Sequence, residues 1–221
     1  MIKPRVKICC ISSPDEARIA INCGAAALGL VSAMPSGPGV IGEDLIAEIA
    51  ARVPPPVATF LLTSKVDAAS IIAQQRRCRV NTIQLCDRVV PGVYKQLRAA
   101  LPGVALVQVI HITGPEAYDE AVSVAGEVDA LLLDSGNQSL VVKELGGTGR
   151  VHDWSISRAI RDRVATPVFL AGGLTPGNVA AAIDMVRPFA LDVCSGVRTG
   201  GQLDEEKLKR FFASVNRFDA T

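Results

Sequence analysis

The chain has 221 residues, of which 49% are hydrophobic, and its 23 basic and 22 acidic residues give a formal net charge of +1. A chain of this length buries about 70% of its unfolded surface as one domain, so it can fold without disulfides or a structural metal. The balanced charge, with no basic block, argues against nucleic acid or an anionic membrane as a partner. No apolar run reaches the roughly 18 residues of a membrane span. Because no secretory leader is recognisable, we expect a cytoplasmic protein.

Short apolar runs alternate with helical patterns throughout the chain. The apolar runs predict strands over Arg5–Ile11, Ala27–Ala33, Val57–Thr63, Thr82–Cys86, Ala105–Ile112, Asp129–Asp134, Pro167–Leu170 and Phe189–Cys194. The intervening patterns predict helices over Pro14–Ala26, Glu43–Arg52, Val66–Gln75, Gly92–Ala100, Pro115–Ala125, Trp154–Val164, Pro176–Val186 and Asp204–Val215. Ser13 before Pro14 illustrates the start signals, because a hydroxyl cap precedes a proline at the first helical position.

Eight strand–helix units in succession predict a parallel sheet with right-handed crossovers. Eight such strands can close into a barrel, so we predict a single (β/α)8 TIM barrel domain over residues 1–221. An open, doubly wound sheet is the alternative. The first strand–helix turn lacks the G-x-G-x-x-G motif of dinucleotide-binding sheets, which counts against that alternative.

Small residues follow each of the last three predicted strands, whose carboxyl ends face one mouth in a barrel. Glycines let backbone N–H groups approach an anion closely, and a helix that begins just beyond adds its positive end. Each glycine by itself need only satisfy a tight turn, but three such turns together predict binding of a phosphorylated small molecule. The predicted phosphate-binding residues are Gly147, Thr148, Gly149, Gly172, Gly173, Ser195 and Gly196.

Two candidate reactive side chains, Cys9 and Asp134, end predicted strands at the same mouth. A cysteine is a useful base when its pKa is lowered, and Lys7 is a cation on the same face of the strand. A carboxyl group in a partly dry site can stay protonated and act as an acid. Position alone is equally compatible with structural roles for both residues.

The other five cysteines lie in or beside apolar runs without Cys-x-x-Cys spacing, and the chain has only two histidines. We therefore interpret these cysteines as small buried hydrophobic residues in a reducing compartment, and we expect no metal site.

In combination these residues resemble the phosphoribosylanthranilate isomerase family over nearly the whole chain. The order and spacing of the motifs make the resemblance specific. The motifs are Lys7-Ile8-Cys9, Gln84-Leu85, Leu132-Leu133-Asp134, Gly146-Gly147-Thr148-Gly149 with Asp153-Trp154, Leu170-Ala171-Gly172-Gly173-Leu174, and Asp192-Val193 with Ser195-Gly196-Val197.

The resemblance implies an Amadori rearrangement of a phosphorylated aminoaldose to an aminoketose, a step of tryptophan biosynthesis. It implies that Cys9 is the general base that removes the proton from sugar C2, and that Asp134 is the general acid that protonates the ring oxygen. It also implies that the last three turns hold the substrate phosphate, that Lys7 and Gln84 line the pocket, and that no cofactor is needed.

The chain departs from the family pattern at the end that binds the aromatic acid. Cys10 replaces a glycine after the strand-1 cysteine, and the loop 36–39 lacks the arginine that recognises the anthranilate carboxylate. The family's His-Gly after Gln-Leu becomes Cys86-Asp87, and Arg198 replaces the acidic residue after Ser-Gly-Val. A bidentate arginine–carboxylate contact is strong and directional, so either another cation replaces it or the substrate differs. Arg198 is a candidate replacement that would line the pocket, although loop arginines are usually solvated.

Three functions therefore compete for this sequence. The first is the isomerase itself. The second is a divergent relative that isomerises or binds another phosphorylated sugar or amino-sugar, and the third is a non-catalytic barrel that binds a phosphorylated ligand. The sequence leaves the oligomeric state open, with a homodimer as one hypothesis.

Overall fold

A computed structural model describes residues 3–219 and contains a closed barrel of eight parallel strands paired in chain order. β1 pairs with both β2 and β8, so the sheet has no open edge. The strands are β1 (Arg5–Ile8), β2 (Ala27–Val31), β3 (Ala58–Thr63), β4 (Thr82–Leu85), β5 (Ala105–His111), β6 (Ala130–Asp134), β7 (Val168–Leu170) and β8 (Ala190–Val193). The predicted barrel is confirmed, and the open sheet is wrong.

One α-helix follows each barrel strand and packs on the outside of the sheet. The helices are α1 (Pro14–Asn22), α2 (Glu43–Arg52), α3 (Ala68–Cys78), α4 (Val93–Ala100), α5 (Glu116–Val124), α6 (Trp154–Arg163), α7 (Val179–Val186) and α8 (Glu205–Asn216). Within residues 3–219, none is long and apolar enough to cross a membrane.

Local hydrogen bonds explain where helix boundaries differ from the prediction. α1 ends at Asn22, four residues early, and the chain then turns at Gly24, which has a φ of +106°. α7 begins at Val179, three residues late. There the Asn178 side chain accepts from the Thr175 amide and donates to the Gly173 carbonyl, which holds the preceding segment in a turn.

A short hairpin between β8 and α8 was not predicted. Its strands, β9 (Arg198–Thr199) and β10 (Gln202–Leu203), are antiparallel. Gly200 and Gly201 connect them with φ values of +57° and +82°. A two-residue Gly-Gly connection is a recognised hairpin signal, so the sequence contained the cue.

Side chains alternate between the barrel interior and the layer under the helices, as the two-residue period of a strand requires. In β3, Phe60 and Leu62 join the interior cluster, whereas Leu61 packs with the surrounding helices. The interior also contains an ion pair, because the Lys7 ammonium lies 2.9 Å from Asp192 Oδ1 and both side chains are buried. This pair joins β1 to β8 at directly paired positions.

A second buried ion pair fixes the hairpin against α1. Arg198 Nη1 donates to Glu16 Oε1 at 2.9 Å, and Nη2 donates to the Cys10 carbonyl. Glu16 also accepts from the backbone amides of Ser12 and Leu203. Burial acts to raise the pKa of Glu16, but these hydrogen bonds prevail and lower it.

We expect Arg198→Ala to lower the free energy of unfolding by about 3–5 kcal/mol, because it leaves the Glu16 carboxylate buried without its partner. The Arg198 and Glu16 side chains are only 7% and 8% exposed. Arg18→Ala is the matched control, since its pair with Asp15 is 66% and 83% exposed, and we expect it to cost less than about 1 kcal/mol. Urea unfolding measures both. Equal losses would contradict the structural role of the buried pair.

Candidate active site

A cavity opens at the carboxyl ends of the barrel strands, with an empty volume of about 670 Å³ including its open mouth. This is the face on which barrel enzymes carry their sites. Its walls come from strand ends and from the loops after β2, β6, β7 and β8. The lining residues are Cys9, Cys10, Val31, Met34, Ser36, Gly37, Pro38, Leu62, Gln84, Cys86, Asp134, Leu145, Gly146, Gly147, Thr148, Gly149, Ala171, Gly172, Gly173, Leu174, Asp192, Cys194 and Ser195.

The structure brings the three small-residue turns together on one side of this cavity. The Thr148 and Ser135 hydroxyls are 2.7 Å apart, which fixes the turn after β6. A methyl group built on Gly149 would lie 3.4 Å from Ser195 Oγ, so the turns after β6 and β8 adjoin. Gly172 and Gly173 have φ values of +81° and +61°, the region that favours glycine. Backbone amides and hydroxyls here could hold an anion.

Gly196, also predicted to bind phosphate, is absent from the lining of this cavity. A methyl group at Gly196 would lie 1.9 Å from the Leu174 carbonyl oxygen, so this glycine lets the turns after β7 and β8 pack closely. The structure gives it a packing contact at this position.

Cys9 and Asp134 both line the cavity, as the sequence predicted. Cys9 is 6% exposed, and its amide donates to the Val193 carbonyl, so the β1–β8 pairing continues to this residue. Gly29 makes room for its side chain, because a methyl group there would lie 2.9 Å from Cys9 Sγ and 3.0 Å from Lys7 Nζ. The thiol and the ammonium therefore flank one point on the inner face of the barrel.

Asp134 is buried at the end of β6, with Oδ1 accepting from the Ser135 amide at 2.8 Å. Burial raises the pKa of Asp134. The Ser135 amide, His111 and Lys7 oppose the shift, whereas Asp192 adds to it. His111 is the paired residue on β5, and its Nε2 lies 2.9 Å from the Cys86 carbonyl. Burial thus keeps this carboxyl group in its neutral, proton-donating form to a higher pH than an ordinary aspartate.

The three predicted substrate-lining residues occupy different places. Gln84 lines the cavity, and its Oε1 is buried without a hydrogen-bond partner. Lys7 is fully buried and does not belong to the lining; burial acts to lower its pKa, but Asp192 prevails and raises it. Arg198 also lies outside the cavity, because its guanidinium is turned towards Glu16 and the carbonyls that follow β1. The structure therefore does not place Arg198 on the lining shared by Cys9 and Asp134.

Several lining residues were not singled out as site residues from the sequence. Cys10 has a φ of +62°, a left-handed conformation that suits glycine, and its sulfur faces Cys194. Two features of the sequence could have singled out these cysteines. Cys10 stands where the family has a glycine, and Cys194 follows Asp192 by two residues, the spacing of side chains on one face of a strand. Cys194 and Cys23 are half-buried, whereas Cys10, Cys78 and Cys86 fit the interpretation as buried residues.

The loop after β2 reaches across the cavity to the loop after β6. Ser36 Oγ donates to the Lys143 carbonyl at 2.6 Å. The Pro38 ring lies so close to Gly147 that a methyl group there would be 2.6 Å from Cδ. Among the described residues that line the cavity, none is a lysine or an arginine. Residues 3–219 also contain no group of three His, Cys, Asp or Glu side chains arranged to hold a metal ion.

Comparison with known proteins identifies relatives whose sequences match nearly the whole length of this chain. The family model described as N-(5'-phosphoribosyl)anthranilate (PRA) isomerase matches residues 6–214. The N-(5'-phosphoribosyl)anthranilate isomerase of Methanocella arvoryzae is 35% identical over 208 residues, which cover 94% of this chain and 95% of that protein.

Two solved structures of phosphoribosylanthranilate isomerases are also similar. One, of monomers of the dimeric enzyme from Thermotoga maritima, has a TM-score of 0.79 and 26% identity, covering 97% of this chain and 99% of that one. The other is in complex with reduced 1-(o-carboxyphenylamino)-1-deoxyribulose 5-phosphate and has a TM-score of 0.79 and 27% identity, with the same coverage.

We expect Asp134→Asn to stabilise the fold progressively as pH rises. A raised pKa means that the Asp134 carboxyl contributes its full stability below the unfolded value of about 3.9, and that this contribution is lost as pH rises through the folded pKa. The variant's advantage should therefore be absent at low pH and grow towards neutral pH. Urea unfolding across this range measures it, with the exposed Asp119→Asn as control. A constant difference would contradict a buried, neutral-favouring carboxyl.

Proposed function

This chain belongs to the N-(5'-phosphoribosyl)anthranilate isomerase family, and from that membership we propose that Cys9 and Asp134 are its acid–base pair. The enzyme is an aldose–ketose isomerase of tryptophan biosynthesis that catalyses the Amadori rearrangement of a phosphorylated aminoaldose to an aminoketose. One observation carries the assignment of residues. The thiol of Cys9, the carboxyl of Asp134 and the anion-binding turns line a single cavity.

Asp134 is proposed to open the sugar ring. Its carboxyl group donates a proton to the furanose oxygen as the bond between C1 and that oxygen breaks, and the aromatic nitrogen supplies the electrons that form the imine. An acid in this role must be protonated before the reaction, and the burial that raises the pKa of Asp134 favours that form.

Cys9 is proposed to complete the rearrangement by removing the proton from C2. The electrons of the C2–H bond move towards the imine, which gives an enolamine that becomes the aminoketose after proton transfer to carbon. The thiolate is the form of a cysteine that accepts a proton, and the Lys7 ammonium flanks the same point beside Gly29 as the Cys9 sulfur. Asp192 holds that ammonium in place on β1 at 2.9 Å. The substrate's own nitrogen delocalises the developing charge.

The turns after β6, β7 and β8 are proposed to hold the phosphate. Support comes from the adjoining Gly149 and Ser195 positions and from the left-handed glycines at 172 and 173. The opposite wall is apolar, since Val31, Met34 and Leu62 line it, and it suits an aromatic ring. We propose that the substrate spans the cavity in this direction, with the reacting carbons between Cys9 and Asp134.

We also propose that the enzyme is one domain over residues 1–221, acts in the cytoplasm and forms a homodimer. Support for the dimer is the dimeric enzyme of Thermotoga maritima, and support for the single domain is the continuous family match. Analytical ultracentrifugation tests the assembly, since a single monomeric species at micromolar concentration would contradict it.

We expect Cys9→Ala and Asp134→Asn each to lower kcat/KM by about 10²–10⁴-fold, the usual contribution of a positioned acid or base. The fluorescence change on turnover of phosphoribosylanthranilate by the purified protein measures this. Cys23→Ser, a half-buried cysteine outside the cavity, is the control and should keep wild-type turnover. Wild-type activity should fall as pH rises through the raised pKa of Asp134. A Cys9→Ala enzyme with full turnover would overturn the assignment of the base.

We expect Gly149→Ala to raise KM about tenfold or more, because its methyl group would point into the proposed phosphate site and displace a charge-assisted hydrogen bond worth about 1.5–3 kcal/mol. Gly200→Ala is the matched control. Its φ of +57° is close to the +69° of Gly149, so both variants carry similar backbone strain, but nothing lies within 4 Å of its methyl group. Equal KM values for the two variants would contradict the phosphate site.

A further inference from the structure

Two cysteine sulfurs that the proposed reaction does not use lie together at the rim of the cavity. Cys10 Sγ and Cys194 Sγ are 2.6 Å apart, although the residues are 184 positions apart in the sequence. They stand just beyond the ends of β1 and β8, which pair directly up to Ile8 and Val193. The barrel seam therefore places both thiols at neighbouring positions on one side of the sheet.

The surroundings hold Cys10 in this orientation. The Arg198 guanidinium donates to its carbonyl oxygen, and its thiol contacts the Pro38 carbonyl at 3.7 Å. Gly39 packs on the other side, because a methyl group there would lie 2.4 Å from Cys10 Cβ. These contacts hold the backbone and Cβ of Cys10 on its loop, where its sulfur faces Cys194.

Small polar reagents can reach the pair from solvent. Cys194 is half-buried, and a surface groove beside the main cavity is lined by Cys10, Ser12, Pro38, Gly39, Cys194, Ser195, Arg198 and Gly201. The hydrogen bond with Cys10 lowers the pKa of Cys194, and the positive charge of Arg198 acts in the same direction. Burial opposes this shift but does not outweigh it, so the more exposed sulfur is also the one whose thiolate form is favoured.

We propose that Cys10 and Cys194 are a reversible oxidation site that forms a disulfide with a peroxide as oxidant. The Cys194 thiolate attacks one peroxide oxygen, the O–O bond breaks, and the departing hydroxide takes up a proton to leave as water. The Cys10 sulfur then attacks the Cys194 sulfenic acid, the S–O bond breaks, and the hydroxyl leaves with the Cys10 proton as a second water. The thiols lose two electrons and the peroxide gains them. A shift of about half an ångström brings the sulfurs to the bond length of about 2.05 Å.

A disulfide between Cys10 and Cys194 would join two residues that border the proposed active site. Cys10 directly follows the proposed base Cys9, and Cys194 directly precedes Ser195 of the phosphate turns. Cys9 and Cys86 also line the cavity, so they are the competing thiols. The proposal requires that the peroxide leaves the thiols of Cys9 and Cys86 reduced.

The test treats the reduced full-length protein with hydrogen peroxide under native conditions and maps the cysteines by mass spectrometry. We expect the wild type to lose two of its six free thiols and two hydrogen masses, and dithiothreitol to restore both. Cys9→Ala and Cys23→Ser should form the same cross-link. Cys194→Ser should abolish it, as should Cys10→Gly, which suits the φ of +62°. Circular dichroism checks that each variant is folded.

Other outcomes overturn the proposal. A cross-link that persists in Cys10→Gly or disappears in Cys9→Ala would assign the bond to Cys9. Sulfinic acid on the wild-type cysteines without a cross-link would show that the pair does not react together. None of these readouts uses turnover, so failure of the oxidation site and failure of the proposed acid–base pair are distinguishable.

Discussion

The seam between β1 and β8 closes the barrel, and the chemistry of the site depends on it. Lys7 and Asp192 face each other at paired positions and form a buried ion pair at 2.9 Å. Two residues after Lys7, the Cys9 amide still donates to the Val193 carbonyl, and this hydrogen bond fixes the position of Cys9 at the cavity. Beyond that point the strands separate, and the Arg198 guanidinium binds the carbonyls of Cys9 and Cys10 instead. A single line of contacts thus positions the proposed base, its cation and the neighbouring thiol pair.

The barrel and the cavity floor could be predicted from the sequence because both follow from local patterns. Apolar runs of strand length mark β1 to β8, and residues at their carboxyl ends meet at one mouth in any parallel barrel. Cys9, Asp134 and the turn glycines were predicted for this reason, and the structure places all of them except Gly196 on the lining. The end of α1 and the start of α7 could not be predicted, because they depend on single turn residues such as Gly24 and Asn178.

The orientation of long charged side chains also could not be predicted from the sequence. Arg198 stands on a loop near the mouth, but Glu16 of α1 lies behind it, and their pairing turns the guanidinium away from the cavity. Asp87, which replaces a family glycine, is likewise paired, with Lys143 Nζ 2.5 Å from Oδ2. Both departures from the family pattern thus form ion pairs between separate elements, and their partners lie 182 and 56 residues away in the sequence. Contacts between residues so far apart in the sequence produce no local periodic pattern from which they could be predicted.

The contact between the loops after β2 and β6 has a consequence for the timing of catalysis. Ser36 bonded to the Lys143 carbonyl and Pro38 seated on Gly147 form a bridge over one side of the cavity. These contacts hold two lining loops together across that side of the mouth, so their opening and closing would widen and narrow the route for substrate and product. Such loop motions take microseconds to milliseconds, and product release is often the slowest step of an evolved enzyme. A limit on kcat set by this opening would depend on the lifetime of a few polar and apolar loop contacts, separate from the proposed acid and base.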